Sequence, residues 1–235
     1  MRVIGIDCAV QREKTGLVLA DVEGPLVAVR VVRTGKGADV AALVAEWLGE
    51  VDAALLALDA PLGWPAPLGA WLATHTAGAA ASGMPANELF RRVTDRHIHA
   101  TLGKLPLEVG ADRIARTAHA ALTLLDEVRG RTGRPIPLGW TPGTIDGVQA
   151  IEVYPAATRR AYGADRERGS LAGFEARLRF VSPAAEPAGD ETDQRDALLC
   201  AVAAADFVRG VAVPPLDVAT ARREGWIWAP PPGTT

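Results

Sequence analysis

The chain is poor in lysine, cysteine, methionine and aromatic side chains, and it lacks any long uncharged apolar run. Only Lys14, Lys36 and Lys104 are lysines among 25 basic residues. Formal net charge is −3 and the pI about 5.8, so the broad cationic surface of a tight, non-specific polynucleotide binder is missing. A local patch is still present: residues 91–134 hold nine Lys/Arg against five acids, along with His97, His99 and His119. Cys8 and Cys200 stand in no metal-ligand spacing and supply no disulfide framework; they read as small buried hydrophobes. No stretch reaches the roughly 18 apolar residues needed to cross a bilayer. An acid at position 7 interrupts the first apolar run before it attains signal-peptide length. The expectation is a cytoplasmic protein with no membrane partner; oligomeric state is not encoded in any visible pattern.

What is present is apolar content in short blocks. With 235 residues, 49% hydrophobic, the chain can bury a full core. Residues 2–8, 15–22 and 26–33 read as strands, with Glu23-Gly24-Pro25 as the turn between the second and third. From Ala38 the apolar residues recur at three and four, predicting a helix that ends near Gly49. Residues 52–59 form a wholly apolar run of strand length, as expected when both faces are covered. The Pro-rich stretch Ala60 to Pro67 then leaves the sheet as a shaped loop. Residues 64–147 read as a helical insertion or cap, with helical pieces at 68–74 and 111–129. A fifth strand follows at 150–153, then helices at 156–162 and 171–180 and a polar loop at 182–191. The strongest helix, 193–209, is closed by Gly210. The tail 229–235, rich in Pro and Gly, is expected to be disordered.

Against this pattern stand acids in separate segments. Asp7 closes the first strand, Asp59 closes the fourth, Glu152 lies in the fifth, and Asp193 with Asp196 opens the late helix. A carboxylate at the end of a buried strand loses hydration and needs a compensating partner, so several brought together imply a bound cation. Carboxylate oxygens suit a hard ion, Mg²⁺ or Mn²⁺.

Three strands in a meander, a helix, a fourth strand beside the first, further helices and a fifth strand make the order of the ribonuclease H-like fold. The whole chain is expected to be a single such α/β domain, a mixed five-stranded sheet flanked by helices with the insertion between strands 4 and 5. Gly5-Ile6-Asp7-Cys8-Ala9 followed by Thr15-Gly16-Leu17, then Leu58-Asp59-Ala60-Pro61-Leu62-Gly63, Arg92-Val93-Thr94-Asp95-Arg96, Glu152-Val153-Tyr154-Pro155, Asp196-Ala197-Leu198-Leu199-Cys200-Ala201 and Glu224-Gly225-Trp226-Ile227 run in order along the chain. Through these pieces the sequence resembles the domain-of-unknown-function family 429, described as predicted ribonuclease H-like nucleases. The resemblance implies metal-assisted phosphodiester hydrolysis, with two ions roughly 3.5–4 Å apart activating a water and neutralising the leaving oxygen. By that resemblance Asp7 bridges the metals, Asp59 holds one and Asp196 the other.

Several assignments stay open. Asp193, three residues before Asp196, shares its helix side and is either a further ligand or an acid favoured by the helix dipole. Glu152 alternates with Ile151 and Val153 and so faces opposite to both; it is a ligand, an orienting residue, or the partner of Arg159 or Arg160. Arg92, Asp95 and Arg96 either grip an anionic substrate or begin a helix that Asp95 caps. Trp64, just after Asp59, is placed at the pocket mouth. The substrate is expected to be nucleic acid or a small phosphorylated molecule. Two other classes compete. One is a non-catalytic binding domain. The other is an actin-like or sugar-kinase phosphotransferase, suggested by Gly5-Ile6-Asp7 with Lys14-Thr15-Gly16 but disfavoured because the chain repeats neither the hairpin nor a Gly-rich adenosine segment and, with 235 residues, has room for one domain plus the cap.

Overall fold

A computed structural model describes residues 1–80, 83–110, 112–164, 167, 170–187 and 191–234. Ala111, where the second insertion helix was expected to start, residues 188–190 of the expected polar loop, and Thr235 lie outside the described residues.

Strands β1 (Arg2–Asp7), β2 (Gly16–Glu23) and β3 (Leu26–Thr34) form the antiparallel meander. β4 (Ala54–Asp59) lies parallel to β1, and β5 (Val148–Glu152) parallel to β4. The sheet has six strands, not five, in the order β5-β4-β1-β2-β3-β6. The additional edge strand, β6 (Leu178–Phe180), falls where a helix over 171–180 was expected. Three residues pairing with β3 satisfy the main chain there, and so short a strand leaves no period to read.

Side-chain alternation divides the sheet into two covered faces. Val3, Val18, Val29, Leu55, Ala57 and Ile151 point to one face, which helix α7 (Thr192–Val208) covers. Ile4, Ile6, Leu17, Leu56, Leu58 and Ala150 point to the other, covered by α1 (Val40–Leu48) and α5 (Asp112–Thr132). Helix α1 is started by Asp39, whose carboxylate accepts the Ala42 N–H at 3.0 Å.

Among the described residues, the four helices between β4 and β5 fall within the expected insertion: α2 (Ala66–Leu72), α3 (Ala86–Phe90), α4 (Val93–Leu102) and α5. They are not all cap. Ala121, Leu124, Leu125 and Val128 of α5 are part of the sheet's own core, so this helix is the crossover that returns the chain parallel to β4. After β5 come α6 (Pro155–Ala161), α7 and α8 (Val218–Glu224).

The tail is packed rather than loose up to Pro230. Ile227 and Ala229 join Ile98, Leu102, Ala157 and Ala161 in a small core, and the Gly233 N–H donates to the Ala161 carbonyl at 2.8 Å. Burial of these apolar side chains outweighs the composition on which disorder was expected. Among the described residues no helix is long and apolar enough to cross a membrane.

Candidate active site

Asp7 and Asp59 are Cα partners in the parallel pairing of β1 and β4, and neighbouring strands lie about 4.8 Å apart. Both have the parity of Val3, Gly5, Leu55 and Ala57, so both rise on the face under α7. The third acid arrives because α7 lies unusually close to the sheet. A Cβ on Gly5 would sit 2.2 Å from the Ala197 carbonyl oxygen, and one on Gly16 only 1.9 Å from that of Asp193. Gly16 is the strand partner of Asp7, so the absence of its side chain seats the first turn of α7 beside the end of β1.

Asp196, buried, points into the same cavity as Asp7 and Asp59. Its Oδ1 accepts from Nη1 of Arg159 on α6 at 2.8 Å. Arg159 is also buried, and its Nε–H has no hydrogen-bond partner among the described residues. Asp193, half-buried one turn earlier, does not line the cavity.

Glu152 takes a different part. Its register partner is Leu58, whose side chain belongs to the opposite face of the sheet from Asp7 and Asp59. Both its oxygens accept from Arg92, at 2.8 and 2.9 Å, and Oε2 also accepts the Leu62 N–H at 3.0 Å. Its arginine partner is therefore neither Arg159 nor Arg160. Arg92 also donates to both oxygens of Asp95, at 2.9 and 3.2 Å, and to the Glu224 carbonyl at 3.2 Å.

These bonds use Nε, Nη1 and Nη2 in full: five donors meet five acceptor contacts. The substrate grip expected of Arg92 and Asp95 is thereby replaced by a latch. Asp95 caps α4 by accepting the Arg92 N–H at 3.0 Å, the helix-start alternative, although buried rather than solvated. Glu224 extends the latch, accepting the N–H groups of Ala66 at 2.8 Å and Val93 at 2.7 Å. The loop after Asp59 is thus tied down from both ends.

Burial works against the Arg92 charge, yet the Glu152 and Asp95 carboxylates outweigh it and raise its pKa. Burial pushes the Glu152 carboxyl up, with Arg92 and the Leu62 N–H opposing.

The cavity over Asp7, Asp59 and Asp196 measures about 440 Å³. Lys104, Pro106, Leu107, Ile114 and Thr117 of the insertion form its far wall. Tyr154 lines it as well; burial, then the Asp59 carboxylate, push its phenol up to about 12, so the O–H remains a donor at neutral pH. Burial and the Asp59 and Asp7 carboxylates also raise the Cys8 and Cys200 thiols well above the ordinary range.

Trp64 does not reach this cavity; with Leu62, Pro65, Gly69 and Arg223 it borders a neighbouring one. Arg96 is exposed on α4, its Nη1 donating to the Arg91 carbonyl at 2.7 Å, and stands outside the lining. Lys104, Arg159 and Tyr154 were not singled out as site residues; the only pointers were the quoted Glu152–Pro155 segment and the rarity of lysine.

Mg²⁺ usually takes one or two protein carboxylates and completes its shell with water and substrate phosphate. Asp7 and Asp59, in register and on one face, fit that requirement. Asp196 already accepts from Arg159 through Oδ1, and among the described residues no group of three or more His, Cys, Asp or Glu is arranged to hold a metal by itself.

Fold and site together define an α/β protein with a mixed six-stranded sheet and an acid-floored cavity at the carboxyl ends of its parallel strands. Residues 5–220 match the family described as "Protein of unknown function (DUF429)", and the chain belongs to it. No curated protein and no solved structure matches the chain.

Proposed function

We propose that the chain is a divalent-metal-dependent phosphodiesterase of the ribonuclease H-like class, with Asp7 and Asp59 as the metal-holding pair. The observation that carries this reading is their side-by-side register on β1 and β4, on the face that α7 covers with Asp196. The strand order β3-β2-β1-β4-β5, antiparallel across the meander and parallel beyond it, supports the class.

Within the cavity each side chain has a defined task. Asp7 and Asp59 present hard oxygen ligands at the floor. Arg159 fixes the position of Asp196 and balances its charge. Tyr154 offers a phenolic O–H to an anionic oxygen. Glu152 borders the cavity with both oxygens engaged and, through Arg92 and the Leu62 N–H, fixes the loop leaving Asp59. Bound there, Mg²⁺ or Mn²⁺ supplies a water of lowered pKa and charge neutralisation at the leaving oxygen.

The test is hydrolysis of bis(p-nitrophenyl) phosphate with Mn²⁺, beside thermal unfolding with and without the ion. The wild type turns over and gains about 2.7 kcal/mol at a hundredfold excess over Kd; Asp7→Asn does neither and keeps its fold. Turnover surviving in Asp7→Asn removes the assignment. A non-catalytic binding domain is the second reading, favoured by the Arg159–Asp196 pair, which neutralises one acid from within; absence of both turnover and metal stabilisation in the wild type would select it.

A further inference from the structure

The wall facing the acids is built for something other than a duplex. Lys104, half-buried, has no ion-pair partner among the described residues. Arg159, which lines the same cavity and holds Asp196 through Nη1, is buried with its Nε–H unmet among the described residues. A buried orphan donor on a charged side chain calls for an acceptor that binding can supply. Arg92, the third cation of the lining, has all five donors committed and cannot serve.

Pro106, Leu107, Ile114 and Tyr154 line the same cavity and give it an apolar surface suited to the body of a ligand. Leu107 is 68% exposed although it borders the cavity, an apolar side chain that a bound ligand would cover. The volume of about 440 Å³ falls within the roughly 300–1,000 Å³ of small-molecule sites. A duplex needs an open, basic groove tracking its phosphates, whereas here the insertion stands over the acids and the whole chain is net negative.

We infer that the cavity takes a small phosphodiester, no longer than a dinucleotide, with its phosphate between Lys104 and Arg159 and an apolar or planar substituent against Pro106, Leu107 and Ile114. This rests on the phosphodiesterase reading above and narrows its substrate. In the reaction the oxygen of water bonds to phosphorus and one P–O ester bond breaks. The departing alkoxide takes up a proton, so that one water is consumed and an alcohol and a phosphomonoester are released.

The experiment compares the dinucleotide pApA, a 20-base-pair RNA duplex and a 20-base-pair DNA duplex as substrates with Mn²⁺, in the wild type and in Lys104→Gln. Binding of pApA without metal is measured in parallel by calorimetry. The expected result is preferential hydrolysis of pApA, with KM raised about tenfold in Lys104→Gln and thermal unfolding unchanged. Duplex cleavage faster than that of pApA, indifferent to Lys104→Gln, overturns the inference and leaves the phosphodiesterase reading intact. If nothing is hydrolysed but pApA binds and Lys104→Gln weakens it about tenfold, the substrate class stands and the hydrolytic reading falls. Absence of both hydrolysis and binding of pApA overturns the inference.

Discussion

Two acid-rich clusters lie within one loop's length of each other and have opposite designs. In the latch, Asp95, Glu152 and the Glu224 carbonyl surround Arg92, and each of its N–H groups has an acceptor. At the cavity floor, Asp7 and Asp59 stand side by side in register, and Asp196 accepts from Arg159. A closed network of buried charges holds a backbone path in place, whereas acids aimed into a cavity give a ligand somewhere to go. The acids look alike in the sequence; for Asp7, Asp59 and Glu152 what separates them is which side of the sheet strand parity selects, and for the helical acids it is the partner each meets.

That contrast can be broken at either end. The largest expected effect is Asp7→Asn, which should cut Mn²⁺-dependent hydrolysis by on the order of 10²–10⁴-fold while the urea midpoint stays near that of the wild type. Arg92→Ala should do the reverse in kind. Glu152 and Asp95 would be left buried without their cation, at a cost of about 3–5 kcal/mol read from urea unfolding. If Arg92→Ala proved stable and merely raised KM, Arg92 would belong to the substrate site after all.

Gly5→Ala sharpens the comparison more gently. Its Cβ would meet the Ala197 carbonyl oxygen at 2.2 Å, so α7 must shift at about 1–3 kcal/mol, and activity should fall along with stability because Asp196 moves with the helix.

The smallest effect is expected at His97, half-buried with its ring 4.9 Å from that of Trp226. Burial lowers its pKa, so the unfolded chain binds its proton first. The stability it contributes is present above about pH 6.5 and lost as pH falls through the lower folded value. Urea midpoints at pH 7.5 and 5.0 should therefore differ less in His97→Phe than in the wild type.

The parts of this design legible in the sequence are those set by local period. The apolar runs ending in Asp7 and Asp59 gave β1 and β4, and their parity put both acids on one face. Alternation likewise set Glu152 apart from Ile151 and Val153, and on that side of the strand it meets Arg92. The partners themselves were not legible: Arg92 and Glu152 are 60 positions apart, and Arg92 and Glu224 are 132 apart. No local pattern encodes contacts over such separations. Strand β6 is too short to show a period, and α4 follows an arginine, Arg92, where capping by Asp95 had to compete with substrate binding as an explanation. In the tail, Pro and Gly masked the burial of Ile227 and Ala229 against α4 and α6.

A crystal soaked in Mn²⁺ and measured for anomalous scattering would test the metal-holding pair most directly. The expected result is a peak between the carboxylates of Asp7 and Asp59, absent in Asp7→Asn. A fully occupied peak elsewhere, or none at the floor of the cavity, would contradict it.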